Sequence, residues 1–255
     1  DKYMLVVNAS NIEKDWNWIA KQNKNAQMKN ISDDMSLLAV QGPKAISLLQ
    51  ELTNENLSEI TFYHFKQMSF AGFSDITVSA TGYTGSGGFE LYVPNANAAE
   101  VWDKIIEVGQ NYGLEPIGLA ARDTLRLEMG YCLYGNDIDE TTSPIQAGLG
   151  WVTKFTKSFI NDVNLKSEKE NGVSRKLIGF ELLDRGIPRK GYEIVDENEN
   201  LIGVVTSGTM GPSVKKSIGL GYVDVAFASP GSKIYLSIRN KSISAEVVKL
   251  PFYKS

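Results

Sequence analysis

The sequence predicts an α+β fold that ends in a small antiparallel β-barrel, and three observations point there. From Lys176 to the end, short alternating strands recur at intervals of roughly ten residues with turns between them, the pattern of a small barrel. Residues 62–94 read mostly as strands separated by glycine turns. Before and between these regions lie stretches whose apolar residues recur at helical spacing. A chain of 255 residues has room for one large domain or two to three small ones.

Taken in order, Tyr3 to Val7 is an apolar run that predicts a buried strand, and it begins almost at once, without an initiator Met. Residues 12–24 read as a helix, with Trp16, Ile19 and Ala20 on one side. Residues 23–34 are a polar connection and 36–40 a strand. Gly42-Pro43 then opens a helix, since proline is tolerated at the first helical position, and Ala45, Leu48, Leu49 and Leu52 form its apolar stripe. Phe89, Leu91 and Val93 alternate with Glu90 and Tyr92 in a half-buried strand. The helix at 98–112 turns Val101, Ile105 and Val108 to the core, with Gly113 as its C-cap. A second helix spans 119–129 and stops at Gly130. Residues 130–152 lose all periodicity and predict a closely packed irregular region ending at Trp151, and the charged stretch 161–175 reads as a linker. Within the barrel, strands fall at 192–195, 201–205, 218–223 and 234–238, with turns at 196–200 and at Pro230-Gly231.

The composition is 42% hydrophobic and 22% charged with a net charge of −4, ordinary for a globular protein and without the basic face of a nucleic-acid binder. Lys215-Lys216, the tightest basic group, reads as a solvated turn. No run of ~18 apolar residues is present to span a membrane, and no signal peptide is visible. The single cysteine, Cys132, excludes an internal disulfide and cysteine-based zinc motifs. It sits among Met129, Tyr131, Leu133 and Tyr134, so a buried structural thiol is the better reading than a nucleophile. The single histidine, His64, lies beside Phe62, Tyr63 and Phe65 and reads as packed or exposed next to an aromatic strand.

Two places have the residue types for ligand chemistry. The stretch Gly82 to Glu90 is glycine-dense, but it lacks the Lys-Ser/Thr ending of a phosphate loop and is followed by a strand, so a tight turn is the better reading. Glu90, on the opposite side of that strand from Phe89 and Leu91, faces either water or a cavity. In a cavity its two oxygens suit a ligand with adjacent N–H donors. Arg122 and Arg126 stand four residues apart on one helix face near Asp123 and Glu128. Pairing along the helix surface and anchoring of an anionic or carbonyl-bearing ligand both fit that spacing.

Longer motifs are more specific. "GYTGSGGFELYVP" (82–94), "GLAARDTLRLEMGYCLYGNDIDETTSPIQAGLGW" (118–151) and "VTSGTMGPSVKKSIGLGYV" (205–223), with "VVNASN" (6–11) and "LLAVQGPKA" (37–45), resemble in the same order the aminomethyltransferase family of the glycine cleavage system, the T proteins. The resemblance runs from residue 3 to the end. It implies transfer of a one-carbon unit from the aminomethyl-lipoyl arm of the H protein to tetrahydrofolate, with release of ammonia, no metal, and no nucleic-acid or membrane partner. It also implies a three-lobed fold with folate in a central cavity and the C-terminal barrel as one lobe. On that plan residues 1–33 belong to the second folate-binding lobe, 34–127 to the first, 128–172 return to the second and lead into a linker, and 173–255 form the barrel.

Carried over residue by residue, the resemblance makes Glu90 and Arg122 folate contacts, Asn8 an asparagine near the pterin, Tyr253 an aromatic by the cavity on a looser alignment, and Tyr83 a weaker folate-binding candidate. Ser86-Gly87 and Gln146 depart from a pattern that usually carries acidic residues there, and Gln146 removes a charge near the cavity. The family's catalytic aspartate matches no residue of this sequence, since it lies before the strand that opens the chain. The expectation is therefore a T-protein remnant without its N-terminal portion and with little activity of its own. The compartment implied is the cytoplasm in a bacterium or the mitochondrial matrix in a eukaryote. Two related readings remain: the folate-binding part of a sarcosine- or dimethylglycine-oxidising enzyme, and a non-catalytic folate-binding protein of the same superfamily. The 118–151 motif favours the transferase over the first, and the absence of a "KGCxxGQ" type of motif counts against the second.

Overall fold

Hydrophobic periodicity of two kinds sorts this chain into a sheet covered by helices and a closed barrel, as a computed structural model describing residues 2–239 and 241–254 shows. The two fall in separate units, Asp1–Pro116 and Ile117–Ser255.

In the first unit β1 (Met35–Gln41), β2 (Phe65–Phe70), β3 (Phe73–Ser79) and β4 (Gly88–Pro94) form an antiparallel sheet in the order β1-β4-β3-β2. Strand alternation sends Phe89, Leu91 and Val93 of β4 into a core shared with Val40, Ile76 and Val78. α2 (Ala45–Gln50) and α3 (Asn95–Gly109) close that core with Leu48 and Leu49 from one and Val101 and Ile105 from the other. The expected C-cap holds: after a 3-10 turn at Gln110–Tyr112, Gly113 takes φ 72. Pro43 does not stand at the first helical position. A turn closed by Ala45 N donating to Gly42 O at 3.0 Å delays α2 to Ala45.

The run 3–7 is not the buried strand its composition predicts. It has no regular secondary structure and pairs with no strand of the sheet, and Tyr3 is 88% exposed. Its apolar side chains lie instead along α1 (Ile12–Gln22), where Met4, Leu5, Val6 and Val7 line a groove with Trp18 and Ile19. α1 has an apolar face but buries no residue.

In the second unit, α4 (Leu119–Glu128) and an irregular stretch lead to α5 (Asp162–Asn171) and then to a closed six-stranded antiparallel barrel. Its strands are β5 (Arg175–Leu182), β6 (Glu193–Val195), β7 (Leu201–Gly211), β8 (Lys216–Asp224), β9 (Lys233–Ile238) and β10 (Lys241–Val248), in the order β10-β5-β8-β7-β6-β9. Among the described residues after 176 the longest helical segment is the single 3-10 turn Val225–Phe227, as the barrel reading requires. Phe180, Ile194, Val205, Val223, Leu236 and Val247 belong to one core cluster. β8 also turns Ile218, Leu220 and Tyr222 to a second cluster with Leu127 of α4. The segment 161–175, read as a linker, contains α5. Its helical signal is weak because only Leu165 is buried, so no apolar stripe marks it, and its ends are set by Asn161 at φ 70 and Gly172 at φ 85.

Arg126 fixes α4 to the barrel. It is 1% exposed, and all five of its N–H groups are used. Nε and Nη2 donate to Asp123 Oδ1 at 2.8 and 2.6 Å, Nη1 to Tyr131 O and Asp137 Oδ2 at 3.0 and 2.7 Å, and Nη2 to Ser207 Oγ at 3.0 Å. Asp137 in turn accepts from Leu133 N and Thr206 Oγ1. Asp137→Ala leaves a guanidinium buried without its fully buried counter-charge. We expect a loss of about 3–5 kcal/mol in urea unfolding followed by barrel circular dichroism, and no comparable loss on removal of the exposed Lys66–Glu55 pair.

Candidate functional site

The glycine loop exists because β3 and β4 must turn tightly under the end of β1. Gly88 takes φ 116, and a Cβ there would stand 2.2 Å from Val40 O, so only glycine fits. Gly42 N donates to Gly87 O at 3.0 Å, which closes the loop onto the turn before α2. The loop runs into a strand and not into a helix, so it has the tight-turn geometry and lacks the helix N-terminus of a phosphate site.

Glu90 lies on the face of the sheet away from the core. One row across the four strands reads Phe65, Ser79, Glu90, Ala39, and the next reads Gln67, Thr77, Tyr92, Leu37. The carboxylate is half-buried, and Thr81 Oγ1 donates to its Oε2 at 2.5 Å. The Tyr92 phenol is hydrogen-bonded to it as well; burial first, and then the Glu90 charge, push that phenol up to about 12, so it keeps its proton throughout the neutral range. A carboxylate has about four acceptor positions, and two hydroxyl donors leave capacity for a ligand with N–H groups. Thr81 and Tyr92 were not among the residues singled out above, although strand alternation already sets Tyr92 beside Glu90.

The other candidates divide between the units. Tyr83 is a half-buried member of the glycine loop in the first unit. Asn8, in the same unit, is exposed, and its Oδ1 accepts from Ser10 N at 3.1 Å and Ser10 Oγ at 2.6 Å, the N-cap of a 3-10 turn. Arg122 and Tyr253 belong to the second unit and are both exposed. Tyr253 N donates to Glu128 O at 2.9 Å, which ties the chain end to the last turn of the helix that carries Arg122.

Comparison with known proteins fits this arrangement of sheet, helix and barrel. The family described as "GCVT N-terminal domain" matches residues 1–157, and the one described as "Glycine cleavage T-protein C-terminal barrel domain" matches residues 175–254. The chain belongs to the aminomethyltransferase family of glycine cleavage T proteins. It is 60% identical over 253 residues to an aminomethyltransferase of Flavobacterium psychrophilum, covering 99% of this chain and 70% of that one. It is 56% identical over 257 residues to an aminomethyltransferase of Bacteroides fragilis, covering 100% of this chain and 71% of the relative. Among solved structures, the glycine cleavage system aminomethyltransferase T from Bartonella henselae matches with a TM-score of 0.86 at 32% identity, over 96% of this chain and 67% of that chain.

Gln146 is held between two charged side chains. Gln146 Nε2 donates to Glu168 Oε1 at 3.3 Å while its Oε1 accepts from Arg175 Nε at 2.9 Å, and Ser143 also donates to Glu168. A neutral amide can do both, whereas a glutamate at this position would face the Glu168 carboxylate.

Cys132 packs against the cluster of Leu127, Leu220 and Tyr222 but is half-buried, not fully buried as its flanks suggest. Burial first, and then the Asp137 charge, push its thiol up to about 11, so it is almost wholly protonated at neutral pH. His64 is exposed, with Nδ1 2.8 Å from Thr61 Oγ1. Alkylation by iodoacetamide at pH 8, followed by mass spectrometry, is expected to be on the order of a hundredfold slower in the folded aminomethyltransferase than in urea, and to accelerate as pH rises toward 11.

Proposed function

We propose that this aminomethyltransferase takes the aminomethyl group carried on the lipoyl arm of an H protein and passes its one-carbon unit to tetrahydrofolate, releasing ammonia. Glu90 is the central folate contact in this reading. The observation that carries it is the Glu90 carboxylate, held by Thr81 and Tyr92 on the uncovered face of the sheet with acceptor capacity left over. Folate's pterin presents adjacent N–H groups of the kind such a carboxylate accepts in pairs. Leu37 and Phe65, exposed on the same face, supply apolar flanks for a flat ring. Arg122 supplies a cation for folate's carbonyl or carboxylate groups. Tyr83, Asn8 and Tyr253 are proposed as further folate-binding residues by the family resemblance. The four-segment division into lobes, 1–33, 34–127, 128–172 and 173–255, belongs to the same proposal. The bacterial relatives support a cytoplasmic enzyme.

The chemistry asks the protein mainly for placement. An S–CH2–NH2 carrier and a folate nitrogen must be held in line, and such positioning can supply a large part of the barrier. A buried carboxylate near that nitrogen stabilises the positive charge that develops on it. The residues of this chain fit the first task, binding and orienting folate. The second falls, by resemblance, to an aspartate that none of these residues matches.

Two measurements test this reading. Glu90→Ala is expected to weaken tetrahydrofolate binding by about 1–3 kcal/mol in titration calorimetry, the range for removing one partner of a polar contact, and unchanged affinity would refute the assignment. Formation of methylenetetrahydrofolate from aminomethylated, lipoyl-carrying H protein is expected to be far slower with residues 1–255 than with the longer Flavobacterium psychrophilum relative, of which this chain covers 70%. Equal turnover by the two would show that the chemical step uses a group within this sequence.

A further inference from the structure

We propose that Gln41 is a positioning residue for the folate-binding carboxylate: its side-chain amide clamps the glycine loop so that Thr81 is held against Glu90. The inference rests on the reading of Glu90 as a folate contact and adds to it the residue that sets the carboxylate's place.

Gln41 is the last residue of β1 and is paired with Gly88 at the start of β4. Its Nε2 lies 3.2 Å from Thr81 O and 3.3 Å from Phe89 O, with Val40 O at 3.4 Å. Thr81 and Phe89 bracket the loop: one is the residue whose hydroxyl holds Glu90, and the other immediately precedes Glu90 in the chain. A single NH2 group therefore ties together the carbonyls at both ends of residues 82–88. The other side of the amide works inside the loop, where Gln41 Oε1 accepts from the buried Thr84 Oγ1 at 3.2 Å. The loop is built around this side chain, because a Cβ on Gly82 would stand 1.8 Å from Gln41 Oε1.

The clamp matters because the loop has little preference of its own. Gly85, Gly87 and Gly88 all take positive φ, and glycine loses more freedom on ordering than any other residue. β4 alternation points Glu90 away from the core, but it does not set the distance to Thr81, which lies outside β3. The amide both donates to the bracketing carbonyls and accepts from Thr84. Methionine keeps the length and loses both functions.

The experiment uses the full 255-residue chain with Gln41→Met, Glu90→Ala and the double variant. It combines tetrahydrofolate titration calorimetry with hydrogen exchange of the peptide covering residues 81–90. Gln41→Met is expected to speed loop exchange and to weaken tetrahydrofolate on the order of tenfold, while in the Glu90→Ala background it should cause no further loss, since it acts through Glu90. Unchanged affinity in Gln41→Met, or losses that simply add in the double variant, would overturn the proposal. If Glu90→Ala leaves affinity unchanged, or the unaltered chain does not bind tetrahydrofolate, the reading of Glu90 fails instead, and the exchange data still report whether Gln41 holds the loop. Should Gln41→Met not fold, Thr84→Val removes only the hydroxyl that orients the amide. It is expected to weaken tetrahydrofolate in the same sense by a smaller factor, and no change would again count against the clamp.

Discussion

A guanidinium that cannot reach water dictates much of the second unit. Arg126 is sealed beneath the end of α4, and an unpaired charge there is not tolerated, so four acceptors, Asp123 Oδ1 serving twice, must be brought to it. Asp123 comes from the same helix, Tyr131 O and Asp137 from the irregular stretch that follows, and Ser207 from β7. Asp137 recruits further partners. Thr206 bonds the Asp137 carboxylate, and the Tyr222 hydroxyl bonds the Asp137 carbonyl, so β7 and β8 are both drawn to one short loop. Glu128, also buried, accepts from the backbone of Ser213 and Val214 at the β7–β8 turn. The helix is thus docked by polar contacts as much as by Leu127.

That polar docking explains where sequence reasoning stopped. Elements whose burial follows a simple period were legible: the alternation in β4, the stripe of α3 with its Gly113 cap, and the closely spaced strands of the barrel. Residues 130–152 are legible only as aperiodic, and the path of 131–137 follows from the acceptors Arg126 requires. Arg126 stood open between a surface pair and a ligand anchor, and it is neither, being buried in the docking of α4. Two arginines four residues apart look like a surface pair, yet one is buried and the other exposed, and spacing along a helix does not distinguish them. α5 was missed for want of an apolar stripe, and Tyr3 to Val7 was over-read because composition alone cannot supply a strand with a neighbour.

The candidate site shows the same division. Glu90 could be placed on the uncovered side of its strand from alternation alone, since a period of two leaves no choice once Phe89 and Leu91 are buried. What surrounds it could not be. Thr81 precedes the glycines and Gln41 lies forty residues before Thr81 in sequence, and their approach depends on the β1–β4 register. The glycines themselves were ambiguous, because a phosphate cradle and a tight hairpin use the same residue for the same reason, tolerance of positive φ. The strand that follows decides between them. The loop wraps a side chain of its own sheet and presents a carboxylate, which is the wrong charge for a phosphate.

The contrast between Arg122 and Arg126 bears on how a binding cation can be presented. A long side chain on an exposed helix surface loses substantial rotamer freedom when it engages a ligand, and a helix that also moves would add to that cost. Here the turn after Arg122 carries Arg126, Leu127 and Glu128, all buried and bonded or packed against the barrel, and the Glu128 carbonyl accepts from Tyr253 N. The backbone under Arg122 is therefore held at one end by about one and a half turns of fixed helix. The place of Arg122 on the surface is thus set by the buried network, and weakening that network would be felt at Arg122 without any change to Arg122 itself.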